Sequence, residues 1–270
     1  MGSVTGAVRA YLLLVWMWSR AAWQYRASLL ILTVTQVAAN GLDFATIWIL
    51  FAHTPVLGGF SLSQVMFLYG TAATSFAVTD MFVGNTERLG RHVREGTFDV
   101  MLIRPVSALA QLAADDFSPR RLGRVVPSGA ALVVALATVP VHWTVLRGLM
   151  VAMMVVCGAL IFGAVFVAGA AFQFVAGDAA EVMNAFTYGG QTAMQYPLSV
   201  YGRDVMRLLT YGVPLAFVNW QPALYVLDRP DPLGLPLAFR FATPVVTAVL
   251  CLLAGLVWRT GVHHYRSTGS

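Results

Sequence analysis

The 270-residue sequence contains no lysine, so all 17 of its basic Lys or Arg side chains are arginine. Without lysine, the chain cannot form a P-loop of the GxxxxGK[ST] type, whose lysine binds the β- and γ-phosphates of a nucleotide. The HExxH, CxxC and GxSxG motifs are missing as well, so no catalytic residue and no metal ligand is predicted. The two cysteines, Cys157 and Cys251, lie in apolar stretches and are interpreted as small apolar side chains, not as a disulfide.

Charge is scarce, at 11% of the residues, whereas 58% are hydrophobic and the mean hydropathy is +0.72. These values are typical of a polytopic membrane protein, in which each spanning helix needs about 20 apolar residues. The sequence therefore predicts an all-α polytopic membrane protein with one domain over residues 1–270. Six transmembrane helices are predicted at residues 28–51, 62–84, 125–143, 149–175, 182–196 and 238–258.

Two segments outside these spans are also predicted to be helical. Residues 1–27 bring Arg20 near Trp16 and Trp23 at helical spacing, which favours a helix lying in the membrane interface. A secretory signal peptide is the weaker alternative, because no convincing small-residue cleavage site follows the apolar core. Residues 197–237 are too apolar for a free loop but contain several prolines, so a re-entrant or outer helical segment is predicted there.

The segment 85–124 is predicted to be a cytoplasmic region that contacts another protein. It contains seven of the 17 arginines, and an arginine excess is typical of inside-facing loops. With the spans above, twelve arginines lie inside and five outside, so both termini are predicted to be cytoplasmic. Phe98, Met101 and Leu102 are expected to be exposed within this charged segment and to dock on a partner.

Polar residues recur along the first and fifth predicted spans. They are Gln36, Asn40 and Asp43 on the first and Asn184, Tyr188, Gln191 and Gln195 on the fifth. Such residues occur where neighbouring helices form hydrogen bonds with each other, and they also occur where helices line a translocation path. The sequence leaves both interpretations open. Asp80, at the inner end of the second span, is expected to reach the interface or to pair with an arginine of 85–124.

Several runs of sequence resemble the type-2 ABC exporter permeases, in particular their bacterial six-span branch. These runs are GTFDVMLIRP (96–105), DFSPRRLGR (116–124), YPL (196–198), AFVN (216–219) and YRSTGS (265–270). The resemblance implies a dimer of permeases, identical or sister chains, in the bacterial inner membrane and bound to a cytoplasmic ABC ATPase dimer. It places ATP and Mg on those partner ATPase subunits and implies no cofactor on this chain.

The same resemblance implies which residues act. The coupling to the ATPase would involve Glu87, Arg88, Arg91, Phe98, Asp99, Leu102 and Arg104 of 85–124, with a second, shorter contact at Asp178 and Glu181. The substrate path of such permeases is lined by spans one, two and five, in agreement with the polar residues described above. The expected cargo is an exported lipid, antibiotic, glycan or other amphipathic compound.

An ion-coupled secondary transporter is the main alternative. It would need its own groups for coupling transport to an ion or proton, and Asp43 with Asp80 would be a small set of such groups. A membrane-embedded enzyme is disfavoured by the missing catalytic motifs. Membrane lipid is an expected partner, whereas nucleic-acid binding is not needed to explain the positive charge.

Overall fold

The computed structural model describes residues 4–22, 24, 26–115, 117, 121–176 and 180–265, which form helices and connections without a β-strand. The α-helices in this part of the chain are α1 (Val4–Ala22), α2 (Arg26–His53), α3 (Leu62–Val83), α4 (Leu89–Arg94), α5 (Thr97–Ile103), α6 (Ala108–Ala114), α7 (Leu122–Thr138), α8 (Val145–Ala176), α9 (Ala180–Met194), α10 (Gly202–Arg207), α11 (Trp220–Val226) and α12 (Thr243–His264). Short 3-10 or π helices lie at Gly84–Arg88, Leu198–Tyr201, Leu208–Gly212, Leu215–Phe217 and Leu237–Phe241. The prediction of an all-helical protein is confirmed.

Among the described residues, four helices are long and apolar enough to cross a membrane: α2, α3 with its extension to Arg94, α8 and α12. They correspond to the first, second, fourth and sixth predicted spans. The helices at the third and fifth, α7 and α9, have 17 and 15 residues. At 1.5 Å per residue they are about 26 and 23 Å long, shorter than the ~30 Å hydrocarbon core. A multi-pass membrane protein is therefore supported, and the count of six spans stays a prediction.

The helix at the third predicted span, 125–143, is displaced toward the N-terminus. In the structure α7 begins at Leu122 and ends at Thr138, because Val139 has an extended backbone ahead of Pro140. A residue before proline is driven out of the helical region by the proline ring. The helix therefore ends before the predicted end of the span at residue 143, and the bounds of the span itself stay a prediction.

α3 is the central helix of the bundle, since most of its residues from Gln64 to Asp80 are buried. A Cβ added at Gly70 would lie 2.7 Å from the Cα of Leu132, so only glycine permits α7 to approach this closely. Phe76 packs edge-to-face on Phe162 of α8 and on Tyr188 of α9, each at 5.2 Å between ring centroids. Three helices thus pack directly on α3.

The segment after α9, predicted to be an outer helical region, folds into short helices listed above, of which α11 is buried. The Asn219 side-chain amide donates to the carbonyl oxygens of Leu68 and Met194, both at 2.9 Å. Arg229 donates to the side-chain oxygen of Gln64 at 2.7 Å. Part of the segment's hydrophobicity is therefore explained by packing against α3, and its re-entrant position stays a prediction.

The N-terminal helix α1 lies beside α3 and α6. The Tyr11 hydroxyl donates to the carbonyl oxygen of Phe82 at 2.8 Å. A helix is therefore present within residues 4–22 of the predicted 1–27, and its location in the membrane interface stays a prediction.

Candidate functional site

Residues 84–115 fold over one end of the helix bundle, which we name the arginine-rich end. Gly96 has φ 68°, a left-handed conformation that suits glycine, and it makes the turn between α4 and α5. The buried Asn85 side chain donates to the carbonyl oxygen of Asp115 at 2.5 Å and accepts from Arg121 at 2.7 Å. One amide thereby joins the beginning of this segment to its end and to the start of α7.

Asp80, near the end of α3, forms ion pairs with two arginines that flank or belong to α7. Its carboxylate lies 3.2 Å from Arg124 Nη1 and 3.7 Å from Arg121 Nη1, and Arg121 also donates to the Asp80 carbonyl oxygen. The Asp80 side chain is only 9% exposed, so its carboxylate is largely shielded from bulk water. The two guanidiniums compensate its negative charge there. The prediction that Asp80 pairs with an arginine of 85–124 is confirmed.

Glu87 and Gln173 fix the turn between α3 and α4 to two other helices. The Tyr188 hydroxyl of α9 donates to Glu87 Oε2 at 3.2 Å. Gln173 of α8 accepts from the backbone N–H of Gly90 at 2.7 Å and donates to the Glu87 carbonyl oxygen at 3.1 Å. The turn is therefore held by α8 and α9 at once.

The Arg124 side chain contacts residues of α2, α3 and α9. Its guanidinium lies 5.6 Å from the ring centroid of Phe76 and 5.9 Å from that of Tyr188, within the range of cation–π attraction. With the Gln36 amide oriented so that its oxygen faces the arginine, Gln36 accepts from Arg124 Nε at 3.1 Å and from Nη2 at 3.2 Å. Arg124 thus binds polar groups of two predicted spans.

Two polar cavities of about 240 Å³ each lie among these residues. The first, which we name the α4 cavity, is lined by Glu87, Arg88, Gly90, Arg91, Arg94, Gln173 and Asn184. The second, the α7 cavity, is lined by Leu32, Thr35, Gln36, Asp80, Glu87, Arg88, Arg121, Arg124 and Tyr188. Since Glu87 and Arg88 line both, the two cavities are neighbours.

The structure brings together part of each predicted set of site residues. Those that line the cavities are Gln36, Asn184 and Tyr188 from the predicted path and Glu87, Arg88 and Arg91 from the predicted coupling set. The remaining path residues, which do not line them, are Asn40, Asp43, Gln191 and Gln195. Asn40 donates to the Gln36 carbonyl oxygen of its own helix, Asp43 is exposed, and Gln195 is buried.

The second predicted contact is described only in part. Asp178 lies outside the described residues, whereas Glu181 is exposed in the first turn of α9. Arg104 is exposed next to α5 and lies 3.5 Å from Gln111 Oε1.

The expectation that Phe98 and Met101 are exposed is wrong. Phe98 is 0% exposed and packs on Phe174 and Tyr265, each at 5.3 Å between ring centroids, and on Trp258 at 6.4 Å. Met101 is buried in the same cluster. These side chains anchor α5 to the ends of α8 and α12 and are not available to a partner in this structure.

Three other side chains of α5 are apolar and exposed. Val100 is 46%, Leu102 40% and Ile103 83% exposed, so the expected exposure of Leu102 is confirmed. Asp99 is half-buried beside Tyr265. Burial and then the nearby Asp99 carboxylate raise the pKa of Tyr265 above its ordinary value, which keeps its hydroxyl protonated.

Sequence reasoning missed several residues of this end of the molecule. Val100 and Ile103 belong to an uninterrupted apolar stretch, which does not reveal which side faces outward. Arg121 and Arg124 belong to the predicted charged segment, but nothing in the sequence singles them out as the partners of Asp80. Gln173 carried a usable signal, because a lone amide in the otherwise apolar α8 points to a specific hydrogen-bonding partner.

Long apolar helices, with two cavities lined by arginines and carboxylates at one end, define the class as polytopic membrane protein. The chain belongs to the ABC-2 family transporter proteins, whose family model matches residues 37–269. The resemblance to the ABC-2 permease family is thereby confirmed, whereas export and the six-span branch stay predictions. Comparison with curated proteins and with solved structures gave no match.

Proposed function

We propose that this chain is the permease subunit of an ATP-driven ABC transporter. In this proposal residues 85–124 are its cytoplasmic coupling region, and two permease chains, identical or sister, act together in the membrane. The main supporting observation is α5, which exposes Val100, Leu102 and Ile103 while Phe98 anchors the helix to α8 and α12. An exposed apolar surface on a firmly attached helix suits docking to a partner protein.

The contacts behind α5 suit the transmission of movement. Glu87 is bound to Tyr188 of α9, and Gln173 of α8 binds both Gly90 and Glu87. A displacement of α4 and α5 by a bound ATPase would therefore act on α8 and α9 through direct hydrogen bonds. ATP and Mg would be bound by the partner ATPase subunits.

The cargo path is proposed to lie between α2, α3 and α9, where Gln36, Asn184 and Tyr188 line the polar cavities. The cargo would be an exported amphipathic compound such as a lipid, antibiotic or glycan. Ion-coupled transport gains no support here. Asp80, one of the two carboxylates it would need, is already paired with Arg121 and Arg124.

The docking proposal is tested by co-purification of the ATPase with single variants of the permease. Ile103→Asp places a charge in the proposed interface and should abolish co-purification, since hot-spot side chains contribute about 2 kcal/mol or more. Val145→Asp is the matched control, because Val145 is also 83% exposed but begins α8, far along the helix from its contact with α4. Undiminished co-purification with Ile103→Asp and Leu102→Asp would contradict the proposal.

A further inference from the structure

The two polar cavities concentrate arginine. Arg88 lines both cavities, Arg91 and Arg94 line the α4 cavity, and Arg121 and Arg124 line the α7 cavity. Arg88, Arg91 and Arg94 follow one another at intervals of three residues, so successive side chains lie near each other on the helix surface. We propose that the joined cavities bind the phosphate or phosphodiester group of an anionic amphiphile.

The arginines keep hydrogen-bonding capacity although they have partners in the protein. Asp80 pairs with Arg121 and Arg124, and Glu95 pairs with Arg91 at 2.8 Å. Arg88, Arg91 and Arg94 make other contacts as well. A guanidinium carries five N–H donors and can donate to several acceptors at once, so contacts within the protein and the binding of an oxyanion are compatible.

Phosphate is the anion that fits this arrangement best. It offers more acceptor oxygens than a carboxylate, and the planar guanidinium can bind two of them at once. Arginines of α4 line one cavity, arginines at the start of α7 line the other, and Glu87 and Arg88 line both. Of the two shared side chains, the Glu87 carboxylate is occupied by the Tyr188 hydroxyl, which lessens its repulsion of an anion.

The size of the cavities and their neighbours favour a lipid headgroup. Each cavity has about 240 Å³, whereas pockets that enclose drug-sized ligands have about 300–1,000 Å³. Leu32 of α2 lines the α7 cavity and is itself 40% exposed, next to the exposed Leu30, Ile31 and Val34. A headgroup in the cavities could thus leave its acyl chains along the apolar surface of α2.

This inference names the cargo of the proposed transporter and so rests on that function, but it is tested on the permease alone. Binding is measured by thermophoresis on the full-length chain in detergent. The probes are inorganic phosphate, short-chain phosphatidic acid and short-chain phosphatidylcholine. Failure to bind them would overturn this inference, whereas the co-purification of the ATPase tests the proposed function separately.

The cavity variant is Arg88→Gln with Arg94→Gln, and the matched control is Arg203→Gln with Arg207→Gln, two exposed arginines that line neither cavity. We expect the wild-type chain to bind phosphatidic acid more tightly than phosphatidylcholine. The cavity variant should bind phosphatidic acid about tenfold more weakly or worse, as expected when charge-assisted hydrogen bonds are lost. The control should bind like the wild type.

The outcomes separate the possible sources of the phosphate group. Equal affinity for inorganic phosphate and phosphatidic acid supports the site with free phosphate as its ligand, whereas tighter binding of phosphatidic acid supports the lipid. If the double variant is not monodisperse, the exposed Arg94→Gln is tested alone, with weaker binding again expected. Unchanged binding in a monodisperse cavity variant, or an equal loss in the control, would overturn the proposal.

Discussion

Tyr188 and Glu87, which are 101 residues apart in the chain, are joined by a hydrogen bond of 3.2 Å from the tyrosine hydroxyl to the carboxylate. Tyr188 belongs to the polar side of α9, and Glu87 to the turn that leads into α4 and α5. The pair is therefore the direct connection between the residues proposed to contact cargo and those proposed to contact the ATPase.

The first prediction concerns this hydrogen bond. Tyr188→Phe keeps the ring, which packs on Phe76 and Phe166 and lies near Arg124, and removes only the hydroxyl. It should lower the free energy of unfolding by about 1.5–3 kcal/mol, as for hydrogen bonds to charged groups. Combined with Glu87→Ala, which removes the acceptor, in a double-mutant cycle, thermal unfolding in detergent should show coupling of about 0.5 kcal/mol or more. Strictly additive effects would show that the two side chains act independently.

The second prediction concerns Phe98. Phe98→Ala should lower the free energy of unfolding by about 3–5 kcal/mol, because it leaves a cavity among Phe174, Trp258 and Tyr265. Phe172→Ala is the control, since Phe172 belongs to the same helix as Phe174 but is 45% exposed. Chemical denaturation of both variants provides the comparison, and equal losses would contradict the buried position of Phe98.

The third prediction concerns the approach of α3 to α7. Gly70→Ala should lower stability by about 1–3 kcal/mol, because its new Cβ would lie 2.7 Å from the Leu132 Cα and force the helices apart. Gly129→Ala, in α7, has no heavy atom within 4 Å of the new Cβ and should instead be neutral or slightly stabilising. The melting temperature of Gly70→Ala should therefore fall below that of the wild type, whereas that of Gly129→Ala should stay the same or rise slightly.

The fourth prediction concerns the buried ion pairs. Asp80→Asn leaves Arg121 and Arg124 without their shared carboxylate and should lower stability by about 3–5 kcal/mol. Asp204→Asn is the control, because that side chain is 98% exposed in its pairing with Arg207 and its loss should not be measurable. Thermal unfolding in the same detergent compares them. A neutral Asp80→Asn would mean that the arginines find other partners.

Much of the fold could be predicted from hydrophobicity alone, because lipid requires long apolar helices. The bounds of α2, α3 and α8 lie within a few residues of the predicted spans for this reason. Asp80 was correctly expected to need a partner such as an arginine, since a charge at the end of a span must be compensated. α7 ends before the predicted end of its span because its last turn depends on local backbone geometry near Pro140.

The outward side of α5 could not be predicted. In the run from Phe98 to Ile103 every residue but Asp99 is apolar, so the periodicity that separates an inner from an outer side is missing. The choice is made by aromatic residues that are distant in the sequence, Phe174, Trp258 and Tyr265, which surround Phe98. The connection of Tyr188 to Glu87 is likewise a tertiary contact that neither segment reveals by itself.

The side-chain amide of Asn219 has a mechanical consequence. It donates to carbonyl oxygens of α3 and α9, at Leu68 and Met194, so the two helices are tied together at the C-terminal end of α9. Asn184 lies ten residues before Met194, a distance of about 15 Å along the helix axis. If α9 tilts while the Asn219 bonds hold, it pivots at Met194, and the displacement grows along the helix toward Asn184. A small rotation would then widen or narrow the arginine-lined cavities while the end of α9 near Met194 stays in place.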